Sequence, residues 1–255
     1  RGKWASSANQ VVAIKLFKSN SMATTKQDFI HELRLLCSLR HPNLVNVYGA
    51  IMEDPRFGYV MEYCGNGSLY RIIEKQTVDF SLNQRIMILL QIARGMSFLH
   101  SKNVIHRDLK CENILMDNHM TAKIADLGIS KITGDSSKTM AASSMTMAVG
   151  SSGFIAPEVY TSENYNNKCD VFSYSIIMFQ VLFGVCRPYG NVMQIEYKVA
   201  SDENFRPVIP EDRASNLNEK EQRIVSVMQQ SWKADPLARP SFVEICEELE
   251  KLVDE

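Results

Sequence analysis

The six cysteines of this 255-residue chain (Cys37, Cys64, Cys111, Cys169, Cys186 and Cys246) include no C-x-x-C pair and lie far apart. That spacing argues against a disulfide framework and against a zinc site. Free thiols in a reducing compartment are the expectation, and with them a cytoplasmic location. Cys111 stands apart because of the residues around it. Net charge is equally scarce, since 28 basic and 29 acidic side chains leave −1 at neutral pH. So weak a field excludes broad attraction to nucleic acid or to an anionic membrane. Long apolar runs are missing too. The longest, Ile176 to Cys186, is broken by Gln180 and Gly184 and falls far short of the roughly 20 residues needed to span a bilayer. The opening Arg1-Gly2-Lys3-Trp4 has neither a secretory pattern nor a starting Met, so the chain reads as a fragment of something longer. What is present is an ordinary folded composition, 45% apolar and 22% charged. It suffices for one large domain or two tightly coupled lobes.

Up to Met61 the pattern reads as strands around one helix. Gln10 to Phe17 is a β-rich run, followed by a Ser/Thr/Asn loop from Ser19 to Thr25. Thr25 and Asp28 form a capping pair for a helix whose inward stripe is Phe29, Leu33 and Leu36. Glu32 falls on the edge of that stripe, where an unpaired carboxylate is costly, so it needs a cationic partner. Pro42 ends this helix, and the runs at 45–48 and 57–61 are further strand candidates. Beyond Gly65-Asn66-Gly67-Ser68 the chain turns helical. Ser81 and Gln84 make a capping box for a helix with Leu82, Ile86, Leu89, Leu90, Ala93 and Met96 on one face. The stretch 173–183 is apolar nearly all round and predicts a helix buried on every side, closed by Gly184. Ser241 and Glu244 cap a last helix striped with Phe242, Ile245, Leu249 and Leu252. Residues 130–153, crowded with Ser, Thr, Met, Gly and Ala, show no apolar period and read as a long surface loop. Strands first and helices later predict an α+β fold with segregated elements.

The chemistry concentrates in His106-Arg107-Asp108-Leu109-Lys110-Cys111-Glu112-Asn113-Ile114 and in Ile124-Ala125-Asp126-Leu127-Gly128. An Asp, a Lys and an Asn within six positions can take a proton, meet a phosphate charge and help to hold a divalent cation. The second Asp can complete the metal site. Phosphoryl transfer from a nucleotide needs these groups, because its catalysis is mostly positioning and charge neutralisation.

With these motifs, and with Val12-Ala13-Ile14-Lys15, Ala156-Pro157-Glu158 and Asp235-Pro236-Leu237-Ala238-Arg239-Pro240 in order around them, the chain resembles a eukaryotic protein kinase domain. Within that family it resembles the tyrosine-kinase-like group, which includes the Raf and mixed-lineage kinases. The resemblance implies a bilobal domain over 1–255. A small lobe at 1–61, mainly antiparallel sheet with one helix, meets a hinge at 62–65 and a mainly helical large lobe at 66–255. The activation segment would be 126–158. It further implies that Lys15 grips the nucleotide phosphates and pairs with Glu32, which the helical stripe had already left in need of a cation. Asp108 would accept or orient the substrate hydroxyl proton, and Lys110 would neutralise the transferring phosphoryl group. Asn113 and Asp126 would hold Mg²⁺. Backbone groups of Glu62 and Cys64 would bond the adenine edge of ATP, with Ala13 and Leu115 sandwiching the ring and Met61 as gatekeeper.

Lys110 resembles the serine/threonine-specific pattern, so the implied substrates are serine or threonine hydroxyls on proteins, with tyrosine an open alternative. Arg107 would receive a phosphorylated residue of the activation segment, placed by an upstream kinase or by the protein itself. Ser136, Ser137, Thr139, Ser143, Ser144 and Thr146 are the candidates. Glu158 would pair with Arg239, and Asp170 would anchor the catalytic-loop backbone. Three departures stand out. Leu127 replaces the usual Phe. Phe154 and Phe172 occupy positions where relatives often carry Tyr or Trp. No G-x-G-x-x-G precedes Val12, and Arg1 to Trp4 resemble the strand that follows such a loop. A non-catalytic scaffold that signals through partner binding is the alternative from another class.

Overall fold

The β-rich run at Gln10–Phe17 is a strand, β2, with a strand on each side of it. The computed structural model describes residues 2–4, 10–17, 26–53, 56–127, 153–161 and 165–254. Within these, the side chains of 2–4, 10, 17, 26–29, 31 and 32 also lie outside the description. β1 (Gly2–Trp4), β2, β4 (Arg56–Glu62) and β3 (Val47–Glu53) form an antiparallel sheet in the order β1-β2-β4-β3. The register sets Ala13 opposite Met61 and Lys15 opposite Tyr59. Period-2 alternation therefore turns Ala13 and Lys15 to one face and exposed Ile14 and Leu16 to the other. Helix α1 (Lys26–Ser38) packs near β3. Leu36 is buried and Leu33 packs partly against the core, as the stripe predicts. The proposed Thr25–Asp28 cap and Phe29 lie outside the described residues.

Two boundaries differ from the sequence expectation. The helix ends at Ser38, ahead of Pro42, with Ser38 Oγ donating to the Leu35 carbonyl at 2.7 Å. The strand expected at 45–48 begins at Val47 and continues to Glu53, with its register shifting between Val47 and Gly49. The reason is local. Val45 N–H donates to Ile124 O at 2.9 Å, so at Val45 the chain still pairs with the other half of the molecule instead of the sheet.

The remainder is mostly helical: α2 (Leu69–Lys75), α3 (Leu82–Ser101), α4 (Pro157–Thr161), α5 (Lys168–Phe183), α6 (Ile195–Ser201), α7 (Glu211–Ala214), α8 (Glu219–Ser231) and α9 (Phe242–Asp254). A two-stranded ribbon, β5 (Ile114–Met116) with β6 (Ala122–Ile124), carries the chain between the two chemical motifs. The capping box of α3 forms as expected, with Gln84 N–H on Ser81 Oγ at 3.3 Å and Ser81 N–H on Gln84 Oε1 at 2.9 Å. Every residue of α5 from Cys169 to Phe183 is buried, and Gly184 closes it in the left-handed region at φ 68°. The α9 stripe of Phe242, Ile245, Leu249 and Leu252 is buried against α3. A small antiparallel sheet with one helix, joined to a helical remainder, is the expected two-lobed α+β fold. Among the described residues no helix is long and apolar enough to cross a membrane.

Candidate active site

The catalytic-loop motif has no long element of its own, so its shape must come from bonds to its surroundings. Asp170, fully buried at the start of α5, supplies them. Its Oδ2 accepts His106 N–H at 2.9 Å and its Oδ1 accepts Arg107 N–H at 2.8 Å. His100, at the end of α3, approaches Oδ2 through Nε2 at 2.9 Å. These bonds hold Arg107 in the left-handed region at φ 66°. A non-glycine residue keeps such a conformation only when its neighbours over-determine it, at about 1–3 kcal/mol. The expected Asp170 anchor is thus in place, and His100 adds a contact that sequence reasoning had not singled out.

The buried ring of His106 then connects the two motifs. Its Nε2 meets the Ala125 carbonyl at 3.0 Å, while its Nδ1 accepts Asp108 N–H at 3.3 Å. The two bonds together assign the ring proton to Nε2. Ala125 N–H donates in turn to Asn113 O at 2.8 Å. The residue before Asp126 is therefore tied on both sides to the loop that carries Asp108. Asp126 itself sits at φ 56°, a second non-glycine residue in the left-handed region.

Five of the candidate side chains form two clusters. Asp108 Oδ1 accepts Lys110 Nζ at 2.8 Å, and Asp108 Oδ2 accepts Asn113 Nδ2 at 3.0 Å. Asn113 Nδ2 also donates to the Asp108 carbonyl at 2.8 Å. With its nitrogen committed to Asp108, Asn113 has only Oδ1 to offer a cation. Lys15 Nζ reaches Asp126 Oδ1 at 2.7 Å, bringing the small sheet onto the second motif. The expected partner of Lys15, Glu32, has its side chain outside the described residues. An amide oxygen and a carboxylate suit a hard divalent cation. No cluster of three or more His, Cys, Asp or Glu forms an alternative metal site among the described residues.

The expected base-binding side of the cleft is apolar. Val45, Cys64 and Ala125 form a small buried cluster against which Met61 and Leu115 pack, and half-buried Ala13 lies opposite Met61 in the sheet. Glu62 N–H is committed to Asn46 O at 2.8 Å, and the Cys64 carbonyl accepts Gly67 N–H at 3.4 Å. A side chain at Gly65 would place its Cβ 2.0 Å from Asn118 Oδ1, so Asn118 would have to turn aside. Burial pushes the Cys64 thiol up to about 12, with Glu62 adding to the effect. Cys111 is fully buried, and burial raises its thiol well above the ordinary value. Its place beside Lys110 therefore gives it no reactive thiolate. Burial also raises Glu112, with smaller contributions from Asp108 and Glu74.

Further from the cleft, Arg239 is fully buried and uses all five of its N–H donors. They reach Glu158 Oε1 at 2.7 Å, Glu158 Oε2 at 2.9 Å, and the carbonyls of Lys233, Lys168 and Ala234 at 2.7, 3.0 and 3.1 Å. The expected Glu158–Arg239 pair is present and fixes α4. Phe172, one of the noted departures, lies 5.2 Å from the guanidinium carbons of both Arg206 and Arg239. The serine and threonine candidates at 136–146 lie outside the described residues.

The protein tyrosine and serine/threonine kinase family matches residues 1–249. The chain belongs to that family. Among curated relatives, the kinase is 33% identical to the serine/threonine-protein kinase STY17 of Arabidopsis thaliana, covering 100% of this chain and 42% of the relative. It is 34% identical to the RGS domain-containing serine/threonine-protein kinase A of Dictyostelium discoideum, over 89% of this chain and 19% of that protein. With the serine/threonine-protein kinase CTR1 of Arabidopsis thaliana it shares 32% identity, over 99% of this chain and 30% of the relative. The kinase chain thus spans less than half the length of these relatives.

Proposed function

We propose that this kinase transfers the γ-phosphoryl group of Mg-ATP to serine or threonine hydroxyls of protein substrates. The observation that carries this reading is the arrangement just described: Asp108 is held by Lys110 and Asn113, and Asn113 O is bonded to the N–H of Ala125, the residue before an Asp126 that meets Lys15. In this reading the domain occupies 1–255, with its hinge at 62–65 and its activation segment at 126–158.

Asp108, oriented by two donors, aligns the substrate hydroxyl and takes its proton. Lys110 is two positions away, ready to move from the Asp108 carboxylate toward charge developing on the transferred group. Lys15 and Asp126 are about half exposed, at 46% and 41% of their side chains. An ion pair so open to water contributes roughly 0–1 kcal/mol, so exchanging it for better partners costs little. Lys15 would turn to the nucleotide phosphates, and Asp126 would join Asn113 Oδ1 around the cation. That cation, when bound, shields the phosphate charge. The Glu62 carbonyl and Cys64 N–H would meet the base edge, between Ala13 and Leu115.

Arg107 supports a regulatory reading. It lies 5.6 Å from the Tyr165 ring, and its Nε is buried with no hydrogen-bond partner among the described residues. A phosphorylated side chain of the activation segment, placed by an upstream kinase or by the protein itself, would supply the missing acceptor. The likeness to kinases named for serine and threonine supports that specificity, as does Lys110. Phosphoamino-acid analysis of a generic protein substrate incubated with the kinase and γ-labelled Mg-ATP tests it. Phosphoserine or phosphothreonine is expected, and label confined to phosphotyrosine would overturn the assignment.

A further inference from the structure

Lys123 lies in the centre of β6 with its side chain only 8% exposed, an unusual place for a lysine unless a partner holds it. Its Nζ meets Glu62 Oε1 at 2.9 Å and donates to the Pro42 carbonyl at 3.0 Å. The other carboxylate oxygen of Glu62 accepts Asn46 N–H at 3.2 Å and Asn46 Nδ2 at 3.0 Å. Arg40 Nη1 in turn donates to Asn46 Oδ1 at 3.2 Å. A buried ion pair is weak evidence for stability, because desolvation cancels much of its attraction. What this one does is better read from the segments it joins.

Glu62 is the last residue of β4 and the first of the proposed hinge. Lys123 stands three residues before Asp126. Between them, the segment 42–46 is stitched to β6 by backbone and side-chain bonds. Ile124 N–H donates to Asn43 O at 2.8 Å, Val45 N–H to Ile124 O at 2.9 Å, and Asn43 Nδ2 to Ala122 O at 3.1 Å. This segment, at the end of the small lobe, and β6 of the large lobe therefore behave as one platform. The Glu62 carboxylate rests on it through Asn46 and Lys123, and the Glu62 backbone through Asn46 O. The base-binding edge and the strand leading to the metal-binding carboxylate are thereby held in one frame.

We propose that Lys123 is a positioning residue for nucleotide binding, which acts through the Glu62 carboxylate to hold the hinge backbone in register with Asp126. The inference rests on the kinase reading above, because it presumes that the hinge backbone meets the base. A neutral, apolar replacement would leave the Glu62 carboxylate held by Asn46 alone and free the end of β4 to rotate. The effect falls on binding of the nucleotide rather than on Asp108 and its hydroxyl, so it appears in KM and not in kcat.

The experiment compares wild type, Lys123→Met, Lys123→Arg and Leu252→Ala, the last a core deletion in α9 that lowers stability far from the hinge. ATP titrations give KM and kcat. Thermal melts and amide hydrogen exchange at residues 62–64 accompany them. Lys123→Met should raise KM for ATP about five- to tenfold with kcat within about twofold. It should also speed exchange at the Glu62 amide. Lys123→Arg should bring both back toward wild type, and Leu252→Ala should change neither KM nor the exchange at 62–64. If Lys123→Met does not fold, Glu62→Gln carries the test, since it keeps the shape of the group and weakens its hold on Lys123. A Lys123→Met or Glu62→Gln protein with a lowered melting temperature but wild-type KM and wild-type exchange would overturn the inference while leaving the kinase reading intact. A wild type that binds no Mg-ATP would overturn both.

Discussion

Lys15 and Asp126, 111 residues apart in the chain, meet at 2.7 Å and so join the small sheet to the segment that follows β6. Because both side chains are about half exposed, this contact adds little to stability. Lys15→Met should therefore change the unfolding free energy by less than about 1 kcal/mol. The same substitution should lower kcat/KM for phosphoryl transfer by about a hundredfold or more, since on the proposed reading the phosphates lose their cation. Urea melts and initial-rate kinetics on one preparation check the two halves together. A large stability loss matching the activity loss would show that Lys15 serves the fold.

Asp170 should behave differently, because its carboxylate takes His106 N–H, Arg107 N–H and His100 Nε2 while fully buried. Asp170→Asn puts an NH₂ group against donors and should cost about 1–3 kcal/mol or more. The strained backbone at Arg107 then loses the bond that opposes its relaxation. Amide exchange at His106 and Arg107 should accelerate more than exchange in α9. Uniform acceleration across the chain would mean that Asp170 serves general stability alone.

Arg239→Leu removes one member of a buried pair and strands Glu158. The expected cost is about 3–5 kcal/mol, measured by chemical denaturation. Arg239→Lys should recover only part of it, because an ammonium cannot supply the five forked donors that reach Glu158 and three carbonyls. Equal stability in the Lys variant and wild type would contradict the role given to that geometry.

The thiols give an inexpensive check on burial. Under native conditions near neutral pH, iodoacetamide should modify half-buried Cys37 ahead of Cys186, whose thiol burial also raises. Cys111 and Cys169, both buried with thiols pushed well up, should react only after unfolding. Peptide mapping by mass spectrometry gives the order. Rapid native labelling of Cys111 would show a catalytic loop more open than described.

Much of this was legible in the sequence for identifiable reasons. The capping boxes at Ser81 and Ser241 are local, since three residues decide them, and both form. The buried α5 helix announces itself because an all-apolar run has no solvent face. The Asp108, Lys110 and Asn113 cluster was foreseeable because six positions of one loop contain it. The start of β3 was not. Val45 looks like a strand residue by propensity, yet its N–H belongs to Ile124 in the other lobe, and no local pattern contains that partner. Lys123 was missed for the same reason: in sequence it is one more strand lysine, and only the fold brings Glu62 and Pro42 to its ammonium. His100 likewise shows its role only when Asp170 is placed beside it.

The central claim is that Asp108 and Asp126 serve one phosphoryl-transfer centre, and the most direct test is the rate of γ-phosphoryl transfer in their variants. With Mg-ATP and a protein substrate, wild type should incorporate label, while Asp108→Asn and Asp126→Asn should each lose about a hundredfold or more in kcat/KM, with folding preserved by circular dichroism. Incorporation at the wild-type rate in either folded variant would contradict the account.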